Sequence, residues 1–173
     1  MAAAILVAGA TGLVGRAVLA ALLTADTTPS RGQAAAPAAA AGTSPPHPTD
    51  SLGAAATIHV LHARDRRTPA LAHPRLQLHA VDFSDLPALP AVNDVYITLG
   101  TTIAAAGSQS AFRKVDYDAV MATAQAARAA GASRCGVVTA MGANAHSRIF
   151  YNRVKGEVER DLQALGFATL VIA

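Results

Sequence analysis

Tryptophan is absent, aromatic residues make up only 4 % of the chain, and one cysteine, Cys135, stands alone among 173 residues. A lone cysteine closes no internal disulfide, and a small side chain inside an apolar run reads as a core residue. Charge is scarce as well: Asp, Glu, Lys and Arg together are 14 %, and 14 basic against 11 acidic residues leave a formal net charge of +3. The only tight basic cluster is Arg64, Arg66 and Arg67, too small for a nucleic-acid-binding arm. No apolar run reaches the roughly 18–20 residues that a membrane span needs. The opening segment lacks a basic n-region, and its apolar stretch is broken by glycines and Arg16. His59, His62, His73 and His79 have no metal-ligand spacing, so no metal is expected, and His146 reads as an exposed loop residue. These absences predict a soluble, cytoplasmic protein that binds neither nucleic acid nor membrane.

What is there is alternation. The length is one domain's worth. Short apolar runs at 5–7, 57–61, 76–81, 94–99, 135–139 and 168–173 read as strands buried on both faces, since they do not alternate with polar residues. Between them lie helical stretches at 14–23, at 117–130 with Gly131 past its end, and from a Ser147 cap to about Leu165, with Gly166 following. Strand–helix alternation predicts a doubly wound parallel sheet in three α/β/α layers. Residues 27–56, rich in Ala, Pro, Gly, Ser and Thr, hold too few large apolar groups to repay ordering and read as a flexible surface insertion. The chain stops inside its sixth strand, which predicts a fragment with part of the substrate site missing.

Three glycines punctuate the first strand–helix junction: Gly9-Ala10-Thr11-Gly12-Leu13-Val14-Gly15. In that context Gly9 permits a sharp turn, Gly12 admits a diphosphate close to the backbone, and Gly15 lets the helix pack on the strand. The free N–H groups and the positive end of the helix then attract phosphate. At the end of the second strand, Arg64 is the first polar side chain of the loop, with Arg66 and Arg67 behind it. An arginine there suits a 2′-phosphate, which favours NADP(H) over NAD(H); Asp65 pointing inward would reverse that preference.

Tyr151 and Lys155 lie four apart on the last predicted helix, so they share a face. A phenol near an ammonium is biased toward its ionised form, which suits acid–base work near neutrality. With the glycine motif, "DVYITLGTT", "FRKVDYD", "VVTAMGA" and "FYNRVKGEVE", the chain resembles the short-chain dehydrogenase/reductase family, and within it an atypical, Tat-interacting-protein-like NAD(P)H-binding branch. The resemblance implies a single Rossmann domain over residues 1–173. It implies that Gly9, Ala10, Thr11, Gly12, Leu13, Val14 and Gly15 line the pyrophosphate and that Arg64 meets the adenosine phosphate. It sets Asp82 and Phe83 by the adenine and runs Leu99, Gly100 and Thr101 past the ribose and nicotinamide. Tyr151 becomes the acid–base residue, Lys155 the ribose anchor, and Thr139 a hydrogen-bond donor to the substrate.

Two departures stand out. The family's serine pair reads Thr139-Ala140 here, and its usual asparagine is Asp116, a replacement shared with that branch. The expected activity is hydride transfer between a nicotinamide and a carbonyl or alcohol of undetermined structure. The alternative is a non-catalytic NADP(H) sensor acting through a protein partner. A homodimer is left open.

Overall fold

The computed structural model describes residues 3–24, 56–66 and 69–173. The insertion expected at 27–56 lies outside them except for Ala56, and so does Arg67. In chain order the elements are β1 (Ala4–Ala8), α1 (Leu13–Thr24), β2 (Thr57–Ala63), β3 (Leu76–Val81), β4 (Asp94–Ile97), α2 (Ile103–Ala106) and α3 (Gln109–Arg113). A π-helical turn (Lys114–Ala119), α4 (Val120–Ala129), β5 (Arg134–Val137), α5 (Phe150–Gln163) and β6 (Thr169–Ile172) follow.

The strands form one six-stranded sheet in the order β3-β2-β1-β4-β5-β6, every neighbouring pair parallel. This is the doubly wound sheet the alternation predicts. Successive β1 side chains leave opposite faces. Ile5 and Val7 join Ile58, Val60, Leu19 and Leu22 beneath α1. Leu6 and Ala8 join Leu61, Val95, Ile97, Val120, Ala124, Val158 and Leu162 beneath α4 and α5. Cys135 is buried in that second core, and burial pushes its thiol up to about 12.

Boundaries differ from the sequence reading in two instructive places. The helix expected from Tyr117 is part of a helical stretch that starts at α3, where Ser108 Oγ caps the first turn by accepting from Ala111 N. It passes through the π turn and ends with Gly131 at φ 101°. On α5, Ser147 is not the cap. Its hydroxyl accepts from Ile149 N at 3.1 Å and shapes the preceding loop, and the helix begins at Phe150.

Because β1 leads outward to β2 on one side while β4 lies on its other side, the chain reverses direction between them. Connections leave β1 and β4 in opposite directions there and open a crevice at the carboxyl ends of the strands.

Candidate functional site

Three segments converge on that crevice. The first is the glycine loop. Gly9 adopts φ 91°, and a Cβ on it would fall 2.6 Å from the carbonyl of Thr98. A Cβ on Gly15 would lie 2.1 Å from the Gly9 oxygen, so α1 touches the turn it springs from. Both glycines are demanded by the protein's own packing. Gly12 is not: it is exposed, and a Cβ there would meet only the Gly9 oxygen, at an ordinary 3.5 Å. The cradle is open above it, as a site for a diphosphate requires.

The second segment is the loop after β4, Thr98 to Thr102. Thr98 Oγ1 donates to the Ala8 carbonyl at 3.0 Å, tying the two strand ends together. The third is α5 with the residues just after β5. Together these segments enclose a cleft of about 440 Å³, lined by Gly12, Leu13, Val14, Leu99, Gly100, Thr101, Thr139, Tyr151 and Lys155, all expected from the sequence, and also by Asp116.

Asp116 is the residue that sequence reasoning passed over as a site. Its side chain is fully buried and pairs with the largely buried Lys155 ammonium, Nζ to Oδ1 at 2.8 Å. Its other oxygen accepts from Thr101 N at 2.8 Å. The π turn is what aims it. A wider helical turn shifts the register of the side chains that follow, and here it turns a carboxylate inward between the β4 loop and α5. The signal available in the sequence was the acid standing at an asparagine position. A buried ion pair is tolerable only when each charge is matched and its remaining hydrogen-bonding groups are engaged. The Thr101 amide supplies that for Asp116, while Lys155 keeps two further N–H donors for other partners.

Tyr151 is half-buried, its ring 5.4 Å from that of Phe112, which is itself fully buried. α5 seats against the loop after β5 without spare room, since a Cβ on Gly156 would fall 2.1 Å from Ala145 N. Thr139 lines the cleft, but its hydroxyl donates to Glu159 Oε1 at 2.5 Å. The expected donation to a substrate therefore competes with an existing bond. Two more ties bind α5 to the preceding helical stretch: Arg113 to Glu157 at 2.5 Å, and Tyr117 O–H to Asp161 at 2.6 Å. The Asp161 bond, together with burial, raises the phenol of Tyr117 above its ordinary value.

The residues expected at the adenosine end stand apart from the cleft, at the carboxyl ends of β2 and β3. Arg64 N donates to the Val81 carbonyl at 2.8 Å. Asp82 accepts from both the hydroxyl and the amide of Ser84, at 2.6 and 2.9 Å; these bonds, with a smaller contribution from the Arg64 charge, hold its carboxyl below the usual range. Phe83 packs against the core with Leu86 and Leu89. Two of the histidines form a pair: His59 Nδ1 and His79 Nε2 lie 3.0 Å apart. Among the described residues no group of three or more His, Cys, Asp or Glu is placed to hold a metal, and no helix is long and apolar enough to cross a membrane.

No family model matches the chain. Among curated proteins it is similar to the mitochondrial protein FMP52 of Candida albicans, 39 % identical over 115 residues, or 62 % of this chain and 50 % of that one. The Emericella nidulans counterpart is 35 % identical over 136 residues, covering 73 % and 58 %. The chain spans about half the length of these relatives. Their names overturn the expectation of a cytoplasmic protein, because composition carries no address.

Among solved structures the chain is similar to UDP-glucose 4-epimerase of Thermotoga maritima, with TM-score 0.65, 10 % identity and coverage of 98 % of this chain and 54 % of that one. The enzyme WbmH of Bordetella bronchiseptica, solved with NAD+, gives TM-score 0.65, 13 % identity and coverage of 99 % and 56 %. At such identities the likeness shows the fold, and the sheet is a Rossmann sheet.

Proposed function

We propose that the chain is a single nicotinamide-nucleotide-binding domain of a short-chain dehydrogenase/reductase-type oxidoreductase, and that it works with NADP(H) in preference to NAD(H). The observation that carries this reading is one cleft, at the chain-reversal point of a Rossmann sheet, in which the open Gly12 cradle faces Tyr151 and Lys155. The solved neighbours include proteins in complex with NAD. The Tat-interacting-like branch remains a proposal resting on the sequence motifs. A mitochondrial setting follows the names of the FMP52 relatives.

When bound, the nicotinamide supplies the hydride or accepts it. Gly9 to Gly15 present backbone N–H groups and the start of α1 to the phosphates. Lys155, held by Asp116, turns its remaining donors toward the ribose hydroxyls. Tyr151 gives or takes the proton at the substrate oxygen, and Thr139 meets that oxygen or its neighbour. Arg64 stands at the 2′-phosphate, with Asp82 and Phe83 toward the adenine.

Calorimetric titration with NADPH and, separately, NADH tests the site and the cofactor choice together. NADPH is expected to bind the more tightly, and binding of neither would overturn the reading. With a substrate found by following NADPH oxidation across aldehydes, ketones and quinones, Tyr151→Phe is expected to keep cofactor affinity while turnover falls about 100-fold or more. A second reading, a sensor that binds the cofactor without chemistry, draws on Ala140 and on the bond between Thr139 and Glu159. It predicts tight cofactor binding and no turnover across the whole panel.

A further inference from the structure

On α5, Tyr151, Lys155 and Glu159 follow one another at four-residue spacing and share a face. The first two line the cleft, and the third does not. Glu159 Oε1 accepts a hydrogen bond from the Thr139 hydroxyl at 2.5 Å, and Thr139 lines the cleft beside Tyr151 and Lys155. A threonine hydroxyl has one hydrogen and two lone pairs. With that hydrogen held in a short bond to a carboxylate, what remains on the oxygen is lone pairs. The Thr139 amide is engaged as well, donating to the Ala173 carbonyl at 2.9 Å. The next residue, Ala140, brings no polar side chain.

We infer that Glu159 is a specificity-determining positioning residue: it fixes Thr139 as a hydrogen-bond acceptor, so that the cleft selects a hydroxyl-bearing substrate. A hydroxyl beside the reacting carbon donates to Thr139, whereas a ketone or aldehyde oxygen, which can only accept, gains nothing from it. Tyr151 is then the one side chain of the pair that donates to a carbonyl oxygen. The inference rests on the reading of the cleft as a nicotinamide-nucleotide site.

Two probes separate the polarities in the full chain. With saturating NADP+, 2,2,2-trifluoroethanol is a donor whose binding is followed by fluorine NMR. With saturating NADPH, tetramethylene sulfoxide is an acceptor only. Thr139→Val is expected to weaken trifluoroethanol about five- to tenfold, the worth of one hydrogen bond, and to leave the sulfoxide within about twofold. Thr139→Ser is expected to restore the original pattern. Glu159→Ala frees the hydrogen and is expected to tighten the sulfoxide by about the same factor. A merely structural role would lower the melting temperature without moving the ratio of the two affinities.

The inference is overturned if Thr139→Val weakens the sulfoxide as much as the alcohol. It is overturned equally if Glu159→Ala leaves the ratio unchanged, or if the cofactor-saturated protein binds neither probe. Should the valine variant not fold, Glu159→Ala against the unaltered chain makes the same comparison. Cofactor calorimetry on the unaltered chain comes first. Absence of cofactor binding there strikes the functional reading itself, which keeps the two failures apart.

Discussion

Across the cleft from one another stand a wall without a single charge, residues 9–15, and a charged one, α5 with Lys155 in the lining and Glu159 holding the lining residue Thr139. The first works by steric permission. Glycine at 9 and 15 allows backbone to lie on backbone, and glycine at 12 keeps the approach open. The second works by pairing across the fold, Lys155 with Asp116 and Glu159 with Thr139. A wall built from backbone is preformed once the strand and helix pack. A wall built from paired charges is only as good as each partner, because a buried charge left alone costs more than the pair contributes.

Removing partners should therefore hurt the charged wall most. Asp116→Ala strands a buried ammonium and an unmatched Thr101 amide, and is expected to destabilise the protein by about 3–5 kcal/mol in denaturant unfolding; a loss under 1 kcal/mol would mean that Lys155 finds water instead. Next comes the contrast within the glycine wall. Gly15→Ala forces a methyl into rigid backbone and is expected to cost about 1–3 kcal/mol or more. Gly12→Ala is expected to stay within about 0.5 kcal/mol while weakening NADPH at least about tenfold. If the two alanine variants lose stability equally, Gly12 serves packing and not a ligand.

The smallest effect belongs to neither wall. Burial, and then the charge of His79, hold His59 below its ordinary value. The unfolded chain thus binds its proton more readily. The stability associated with neutral His59 is complete above about pH 6.5 and falls as pH drops through the imidazole range, by no more than about 1.4 kcal/mol per pH unit. Melting at pH 7.5 and 5.5 should show this slope, and His59→Leu should flatten it.

The uncharged wall was legible in the sequence and the pairings of the charged one were not, for a physical reason. Gly9, Gly12 and Gly15 act within a few residues of one another, so spacing alone exposes them, and the strands show as unbroken apolar runs because both their faces are covered. Tyr151 and Lys155 were legible for the same local reason. Asp116 meets Lys155 only after the β4 loop, the π turn and α5 have packed, and no local pattern announces a π turn. Thr139 reads as a free hydroxyl until its acceptor twenty residues away is in place. Ser147 misled because a serine ahead of a helix reads alike whether it caps the helix or the loop before it.

The π turn at Lys114–Ala119 holds one residue more than a regular helix would use over the same length. Excising a single residue there would let α3 run straight into α4, a smoother and better-bonded rod. The helices on either side would keep their faces, because the wider turn absorbs the extra residue, and only the bulge that carries Asp116 would be lost. The helix would mend, and Lys155 would face an empty place. The extra residue is thus a spare link kept in the chain so that one carboxylate can look sideways.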